Sequence, residues 1–199
     1  DMGTGTVVGT AALPEADAVT LLGDLAIVGV QDDVVVLNRW EDGLAERGRV
    51  RAPSIAAPLE FFRELEAGDG IVYRAGFFGF SSIRVDLPDQ PTVEGLGFAG
   101  GTAAAHALSL GSGGRLGVVT SFAGTQTLAL SIYDVRVPSV VTNIGATLES
   151  GNSPRDLAIA DGFAYLISGV NPVRLSVVRF DAGALSSWRQ PVSGPVCWR

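Results

Sequence analysis

Leu130-Ser131-Ile132-Tyr133-Asp134-Val135-Arg136-Val137-Pro138 is a β-branched and aromatic run that ends at an aspartate, with a proline four residues later. Related runs occur at residues 34–38, 83–88 and 175–181 and close at Asn38, Asp86 and Asp181. Together with Asp134, the closing residues are 48, 48 and 47 positions apart. This regular spacing suggests an internal repeat.

A second marker has a similar period. Pairs of turn-forming residues precede apolar strands at Gly23-Asp24, Gly68-Asp69, Gly114-Arg115 and Asp161-Gly162, in steps of 45, 46 and 47. Alignment of the two markers gives four short strands per unit, joined by short turns, which is the anatomy of a propeller blade. We therefore predict an all-β fold, a β-propeller with four four-stranded antiparallel blades that form an arc of a larger ring.

The predicted repeats occupy residues 17–190, in units of about 17–54, 62–98, 106–148 and 154–190. Residues 1–16 are expected to hold an unpaired outer strand at 6–12 and a linker, and residues 191–199 a tail or the start of further chain. The innermost strands should begin near Ala18, Glu64, Ala107 and Asp156. A helix-like window at residues 58–66 falls where the second unit needs its first strand.

Composition excludes several classes of function. The net charge is −7, and all 14 basic residues are arginines. An acidic surface without lysine argues against a nucleic acid partner, because binding phosphates requires clustered basic residues. No apolar run approaches the roughly 18 residues of a spanning helix, so no membrane span is expected. The single cysteine, Cys197, cannot form an internal disulfide.

The repeated phrase resembles a known family. An aspartate, a proline and Gly-x-Ala are followed by a strand and then by Gly-Asp before an Ala-Tyr-like pair, as in Phe163-Ala164-Tyr165-Leu166. This phrase resembles the LVIVD repeat of secreted bacterial and archaeal propellers over residues 17–190. In the first unit Asn38 and Trp40 replace the aspartate and the proline. The resemblance implies a blade without catalytic residues, and an extracellular, cell-surface or periplasmic location.

The closing residues Asn38, Asp86, Asp134 and Asp181 are predicted to be structural turn residues. An aspartate at a strand end can accept hydrogen bonds from the N–H groups of the following turn. One such residue per blade would also lie far from its equivalents around a ring. We therefore predict no metal site here.

Candidate ligand-binding residues lie where the innermost strands begin, because that entry lines the central opening of a propeller. His106, the only histidine, enters the third unit there. The residues at comparable entries of the other units are Asp17, Arg63, Glu64, Arg155 and Asp156. A three-ligand zinc site needs further partners that the sequence does not place. The sequence also has no Gly-x-Ser-x-Gly motif, and no catalytic residue or cofactor is predicted.

These observations favour a non-catalytic propeller segment of an exported or surface protein that scaffolds or binds a protein or glycan partner. An enzyme with its site at the propeller mouth near His106 is the alternative, and a structural subunit of a larger assembly is the third. Expected partners are another protein or the remaining propeller blades, with a homo-oligomer as a further arrangement.

Overall fold

The computed structural model describes residues 10–40, 43–52, 64–76, 79–98, 103–122, 127–150, 154–169, 173–181 and 184–188. For some of these residues only the backbone is described. Every regular element in these ranges is a β-strand. Within them there is accordingly no helix of the length and apolarity that crossing a membrane requires.

The sixteen strands form four sheets in chain order. The first sheet contains β1 (Ala16–Leu22), β2 (Leu25–Val30), β3 (Asp33–Trp40) and β4 (Gly43–Arg51). The second contains β5 (Leu65–Gly68), β6 (Ile71–Gly76), β7 (Gly79–Arg84) and β8 (Thr92–Phe98). The third contains β9 (Ala103–Gly111), β10 (Arg115–Phe122), β11 (Thr127–Asp134) and β12 (Thr142–Ser150). The fourth contains β13 (Pro154–Ala160), β14 (Phe163–Ser168), β15 (Arg174–Asp181) and β16 (Ala184–Trp188).

Tight turns join the first two strands of each sheet. Asp69 and Gly70 have φ angles of 52° and 76°, and Asp161 and Gly162 have φ angles of 50° and 79°. Positive φ at both central residues matches the right-handed twist of the strands that the turn connects, and aspartate and glycine tolerate it best. These pairs therefore fix the register of their hairpins.

All described strand pairs are antiparallel, and each sheet follows the sequence order of its strands. The predicted fold class, an all-β chain of four four-stranded antiparallel blades, is confirmed. The first strands begin at Ala16, Leu65, Ala103 and Pro154, each within four residues of the predicted start. Of the helix-like window, residues 65 and 66 belong to β5 and residues 58–63 lie outside the described ranges. Of the predicted strand at 6–12, residues 10–12 have no regular structure and residues 6–9 are not described.

Apolar side chains between neighbouring sheets form the core. Sheets 1 and 2 meet through residues such as Ile27, Val36 and Ile83, each with no exposed surface. Sheets 2 and 3 meet around Phe80, whose ring makes edge contacts with two tyrosine rings at centroid distances of 6.2 and 5.0 Å. Sheets 3 and 4 meet through residues such as Leu130. Stacking of sheets by their faces is what a propeller requires.

The first strand of each sheet contacts the first strand of the next, from β1 to β5, β5 to β9 and β9 to β13. Among the described residues no comparably extensive contact joins sheet 4 back to sheet 1. The first strands therefore line the inner side of the arc, and its two outer faces belong to sheets 1 and 4.

Candidate functional site

A β-bulge lies near the start of the first strand in three of the four sheets. The register leaves one residue unpaired in each strand, namely Asp17 in β1, His106 in β9 and Arg155 in β13. Each of these residues lies five positions before the last residue of its strand. A bulge redirects the side chain of the extra residue and increases the local twist. Three predicted binding residues therefore share one structural position.

In the second sheet the residue five positions before the end of the first strand, Gly68, is Arg63, which lies outside the described residues. The carbonyl of the next residue, Glu64, accepts a hydrogen bond from the N–H of Ala75 at 3.0 Å, which extends the pairing of β5 with β6. Glu64 and Asp156 thus follow the bulge position by one residue. The side chain of His106 lies outside the described part of the structure, as does the whole of Arg63.

Asp17 lies against a buried arginine of the neighbouring sheet. The Arg74 side chain is 1% exposed, and its Nη2 lies 3.6 Å from Asp17 Oδ2. Arg74 also donates hydrogen bonds to the carbonyls of Asp33, at 2.6 Å, and Gln31. A buried guanidinium needs such partners to offset its lost hydration. The sequence does not single out Arg74 as a site residue, because Arg74 lies within the apolar run of β6.

Glu64 connects sheets 2 and 3. Its Oε2 accepts a hydrogen bond from the backbone N–H of Leu108 at 2.5 Å. Partial burial raises the pKa of Glu64, the Leu108 N–H lowers it, and the negative charge of Asp156 raises it further. Burial, followed by the charge of Glu64, also raises the pKa of Glu66. Burial and a neighbouring negative charge both favour the protonated form of a carboxyl.

Arg155 and Asp156 are exposed and make local bonds. The Arg155 Nε donates to the carbonyl of Gly169 at 2.9 Å, and Asp156 Oδ1 accepts from the N–H of Leu157 at 2.9 Å. No group of three or more histidine, cysteine, aspartate or glutamate side chains within the described part of the chain could hold a metal ion. The described mouth residues therefore make polar contacts within and between sheets, and the carboxyls of Glu64 and Asp156 lie close enough to influence each other.

The opposite end of the sheets carries the predicted turn residues. By strand register, Arg115 pairs with Asp134 just as Ile71 pairs with Arg84, so Asp134 is equivalent to Arg84 and not to Asp86. The equivalence of Asp134 and Asp86 inferred from their spacing is thus a misalignment by two residues. Sheet 2 has Arg84 followed by Asp86, and sheet 3 has Asp134 followed by Arg136 at the equivalent positions. Both sheets thus keep an arginine and an aspartate two residues apart, in opposite order.

Asp134 holds the turn after β11. Its Oδ1 accepts from the Arg136 backbone N–H at 3.2 Å, its Oδ2 accepts from Arg136 Nη2 at 2.5 Å, and Arg115 Nη1 lies 2.7 Å from Oδ2. The contact between Arg115 and Asp134 is an ion pair. The hydrogen bonds from Arg136, together with the positive charge of Arg115, hold the pKa of Asp134 well below its usual range. Asn38 accepts from Arg47 Nη1 at 3.0 Å, whereas the side chain of Asp181 is not described.

The turns between the third and fourth strands of sheets 2 and 3 carry exposed aliphatic residues. Leu87 is 65% exposed in sheet 2, and Val137 and Val140 are 55% and 64% exposed in sheet 3. We call Leu87, Val137 and Val140 the turn row. Each turn is closed by a backbone hydrogen bond, from the N–H of Gln90 to the carbonyl of Leu87 at 2.9 Å and from Val140 to Val137 at 2.8 Å.

Each of these turns packs against a glycine in the fourth strand of the preceding sheet. A Cβ at Gly48 would overlap the carbonyl oxygen of Pro88, and a Cβ at Gly95 would overlap that of Pro138. The Ser82 hydroxyl also donates to the Pro138 carbonyl at 2.8 Å. This contact has a signal in the sequence that was not used: a glycine in the fourth strand of one unit recurs opposite a proline turn of the next unit. The turns are therefore anchored on the preceding sheet.

Comparison with known proteins identifies the fold. No protein family and no curated protein matches the sequence. A crystal structure of a Lactobacillus plantarum protein matches with a TM-score of 0.71 and 16% identity, over 93% of this chain and 59% of that one. A candidate 6-phosphogluconolactonase from Bacteroides uniformis matches with a TM-score of 0.68 and 16% identity, over 92% of this chain and 58% of that one. A structure of S. cerevisiae dbp5 bound to nup159, gle1, IP6 and ADP contains a chain that matches with a TM-score of 0.56 and 10% identity, over 92% of this chain and 50% of that one.

These identities support a likeness of fold alone, and that fold is the β-propeller. The chain spans about three fifths of the length of the first two structures that it resembles.

Proposed function

We propose that this chain is a non-catalytic propeller segment of an exported or surface protein and that it binds a protein partner through the turn row. The observation that carries the proposal is the exposure of Leu87, Val137 and Val140, at 55–65%, on equivalent turns of neighbouring sheets. Isolated exposed aliphatic residues are ordinary on a protein surface. Their recurrence at equivalent turns is what points to a binding surface.

The chemistry of the turn row favours a protein over a glycan. Sugars present mostly hydroxyl groups, whereas the exposed groups of the turn row are aliphatic. Charged side chains surround the row, including Arg136, whose side chain is 66% exposed, and Asp89, whose side chain is 61% exposed. An apolar centre with a polar rim is the usual anatomy of a protein interface. The closed turns are also rigid before binding, which lowers the entropic cost of association.

Two further observations support the proposal. The resemblance of the repeated phrase to the LVIVD repeat favours an exported or surface location, which fractionation of the native cells would test. One of the similar structures comes from a complex of several proteins, so the fold occurs in protein assemblies. The same surface would serve a structural subunit of a larger assembly.

Retention of proteins from the native envelope fraction on immobilised chain tests the proposal. The test variant is Leu87→Ser with Val137→Ser and Val140→Ser, and the matched control is Val173→Ser, which changes a residue that is 41% exposed outside the turn row. Wild type and control should retain a common protein that the triple variant loses. Equal retention by the triple variant, or binding of glycans alone, would refute the proposed surface.

An enzyme at the propeller mouth is the second candidate, and the raised pKa of Glu64 beside Asp156 is the observation that favours it. Similarity to the candidate lactonase suggests lactone hydrolysis as the reaction to test. Our proposal predicts no hydrolysis of 6-phosphogluconolactone above background. Turnover that is abolished by both His106→Ala and Glu64→Gln in a folded protein would establish the enzyme instead.

A further inference from the structure

Each junction between sheets has the same construction. The first strand of the following sheet presents two aliphatic residues, two positions apart, to the face of the preceding sheet. The leading member of each pair is 1–6% exposed. The pairs are Leu65 with Ala67, Leu108 with Leu110, and Leu157 with Ile159. A junction therefore consists of an incoming aliphatic pair and a receiving face.

The receiving face is well defined in sheet 2. Tyr73 and Phe80 are 3% and 4% exposed there, because sheet 3 covers them. Strand register makes Tyr165 the equivalent of Tyr73 and Leu175 the equivalent of Phe80. In sheet 4 these two residues are 37% and 38% exposed. Sheet 4 thus carries a receiving face of the same kind that has no covering sheet among the described residues.

The incoming pair of sheet 1 is exposed as well. Val19 and Leu21 lie on β1 in the register of Leu65 and Ala67, and they are 66% and 56% exposed. Leu13 packs with Leu44 against the part of this face that β2 and β3 form. The exposed part of the face is therefore β1, the strand that makes the junction in the other sheets.

We propose that the receiving face of sheet 4 binds β1 of a second copy of this chain, head to tail. The two unmatched halves of the inter-sheet junction lie on the same chain, one at each end of the arc. Two copies related by a twofold axis would satisfy both halves at once through two identical junctions, which closes the assembly. The product is a ring of eight sheets, within the range of blade numbers that propellers form. This proposal does not depend on the turn row.

The test begins with the mass of the full chain in solution, measured by light scattering across a concentration series. The wild type should have about twice the chain mass of 20.6 kDa. Val19→Glu should be monomeric, because it places a charge on an apolar face that the dimer would bury. We expect this charge to weaken association by about 100-fold or more. Tyr165→Arg should be monomeric for the same reason. Leu96→Glu, which changes a residue that is 42% exposed on β8 and outside both the junction and the turn row, should remain a dimer.

A mixing experiment distinguishes head-to-tail contact from other dimers. Val19→Glu mixed with Tyr165→Arg should recover the dimer, because one junction is then native and the other pairs a glutamate with an arginine. Circular dichroism and thermal unfolding verify that each variant is folded. A monomeric wild type at every concentration, or a dimer that Val19→Glu leaves intact, would overturn the proposal. Assembly into open fibres would overturn the closed ring.

Discussion

Removal of the Asp134 carboxylate should destabilise the protein, because three contacts are lost with it. The side chain of Asp134 is 18% exposed and bonds both the backbone and the guanidinium of Arg136, and Arg115 lies beside it at 2.7 Å. Asp134→Ala removes all three contacts. Asp134→Asn keeps an oxygen that can accept from the Arg136 backbone N–H but removes the charge. The two variants therefore separate the hydrogen bond of the turn from the ion pairs.

The magnitude follows from the exposure of each partner. Arg136 is 66% exposed, so solvent screens its ion pair and the pair contributes little to stability. The backbone hydrogen bond contributes about 0.5–1.5 kcal/mol. Arg115 is only 25% exposed. Loss of the Asp134 carboxylate therefore leaves the guanidinium of Arg115 partly desolvated and without this partner. We expect Asp134→Ala to lower the free energy of unfolding by about 1–2 kcal/mol, and Asp134→Asn by about half as much.

The effect should also depend on pH with a definite sign. The pKa of Asp134 is depressed in the folded state, so its contribution is fully present above the unfolded-state pKa of about 3.9. The contribution is lost as pH falls through the folded-state pKa. Urea unfolding of wild type and Asp134→Asn at pH 6 and about pH 2.5 should therefore show a smaller difference in the acid.

Asp24→Ala, an exposed turn substitution, is the control and should change stability by less than about 0.5 kcal/mol. An Asp134→Ala variant as stable as that control would refute the reasoning. A difference between wild type and Asp134→Asn that does not change with pH would refute the ionic part of it.

Three other predictions concern the contacts between sheets. Gly48→Ala should cost about 1–3 kcal/mol in urea unfolding, because its Cβ would overlap the Pro88 carbonyl. Phe80→Ala should cost about 3–5 kcal/mol, since its buried ring fills the junction between sheets 2 and 3. Glu64→Gln should gain stability relative to wild type as pH rises from about 4 to about 7. The pKa of Glu64 is raised in the folded state, so wild type loses stability as pH rises above the unfolded-state pKa of about 4.3. The amide oxygen of the variant can still accept the hydrogen bond from the Leu108 N–H.

Matched variants make these predictions specific. Ala45→Ser lies in the same strand as Gly48 and is exposed, so its effect should be small. Phe163→Ala removes a half-buried ring and should cost clearly less than Phe80→Ala. Equal costs within either pair would contradict the packing described above. A Glu64→Gln variant that loses stability relative to wild type as pH rises would contradict the sign of the pKa shift.

The fold could be predicted because its signals are local. Turn pairs such as Asp161-Gly162 specify a hairpin through their own backbone preferences, and their even spacing reveals the repeat. The same spacing placed Asp17, His106 and Arg155 at strand entries, together with Arg63, Glu64 and Asp156. The structure adds that each of the first three is a bulge, a feature of pairing that single-strand composition does not show.

The features that the sequence did not reveal depend on strand register or on how neighbouring sheets stack. Spacing aligns Asp134 with Asp86, because residue type alone does not show that the aspartate and the arginine of this pair change places between sheets 2 and 3. Arg74 was missed because its partners are carbonyls and a carboxylate of the neighbouring sheet, more than 40 residues away in the sequence. The contact of Glu64 with Leu108 likewise depends on how two sheets stack.

Disulfide crosslinking tests most directly whether the ends of the arc meet a second copy instead of each other. The chain would carry Val19→Cys and Tyr165→Cys together with Cys197→Ser, which removes the only native thiol. Mild oxidation should produce a species of twice the chain mass that requires both new cysteines and reverts on reduction. An intramolecular crosslink at 20.6 kDa, formed in high yield at low protein concentration, would show that sheet 4 closes onto sheet 1 of the same chain and would contradict the account.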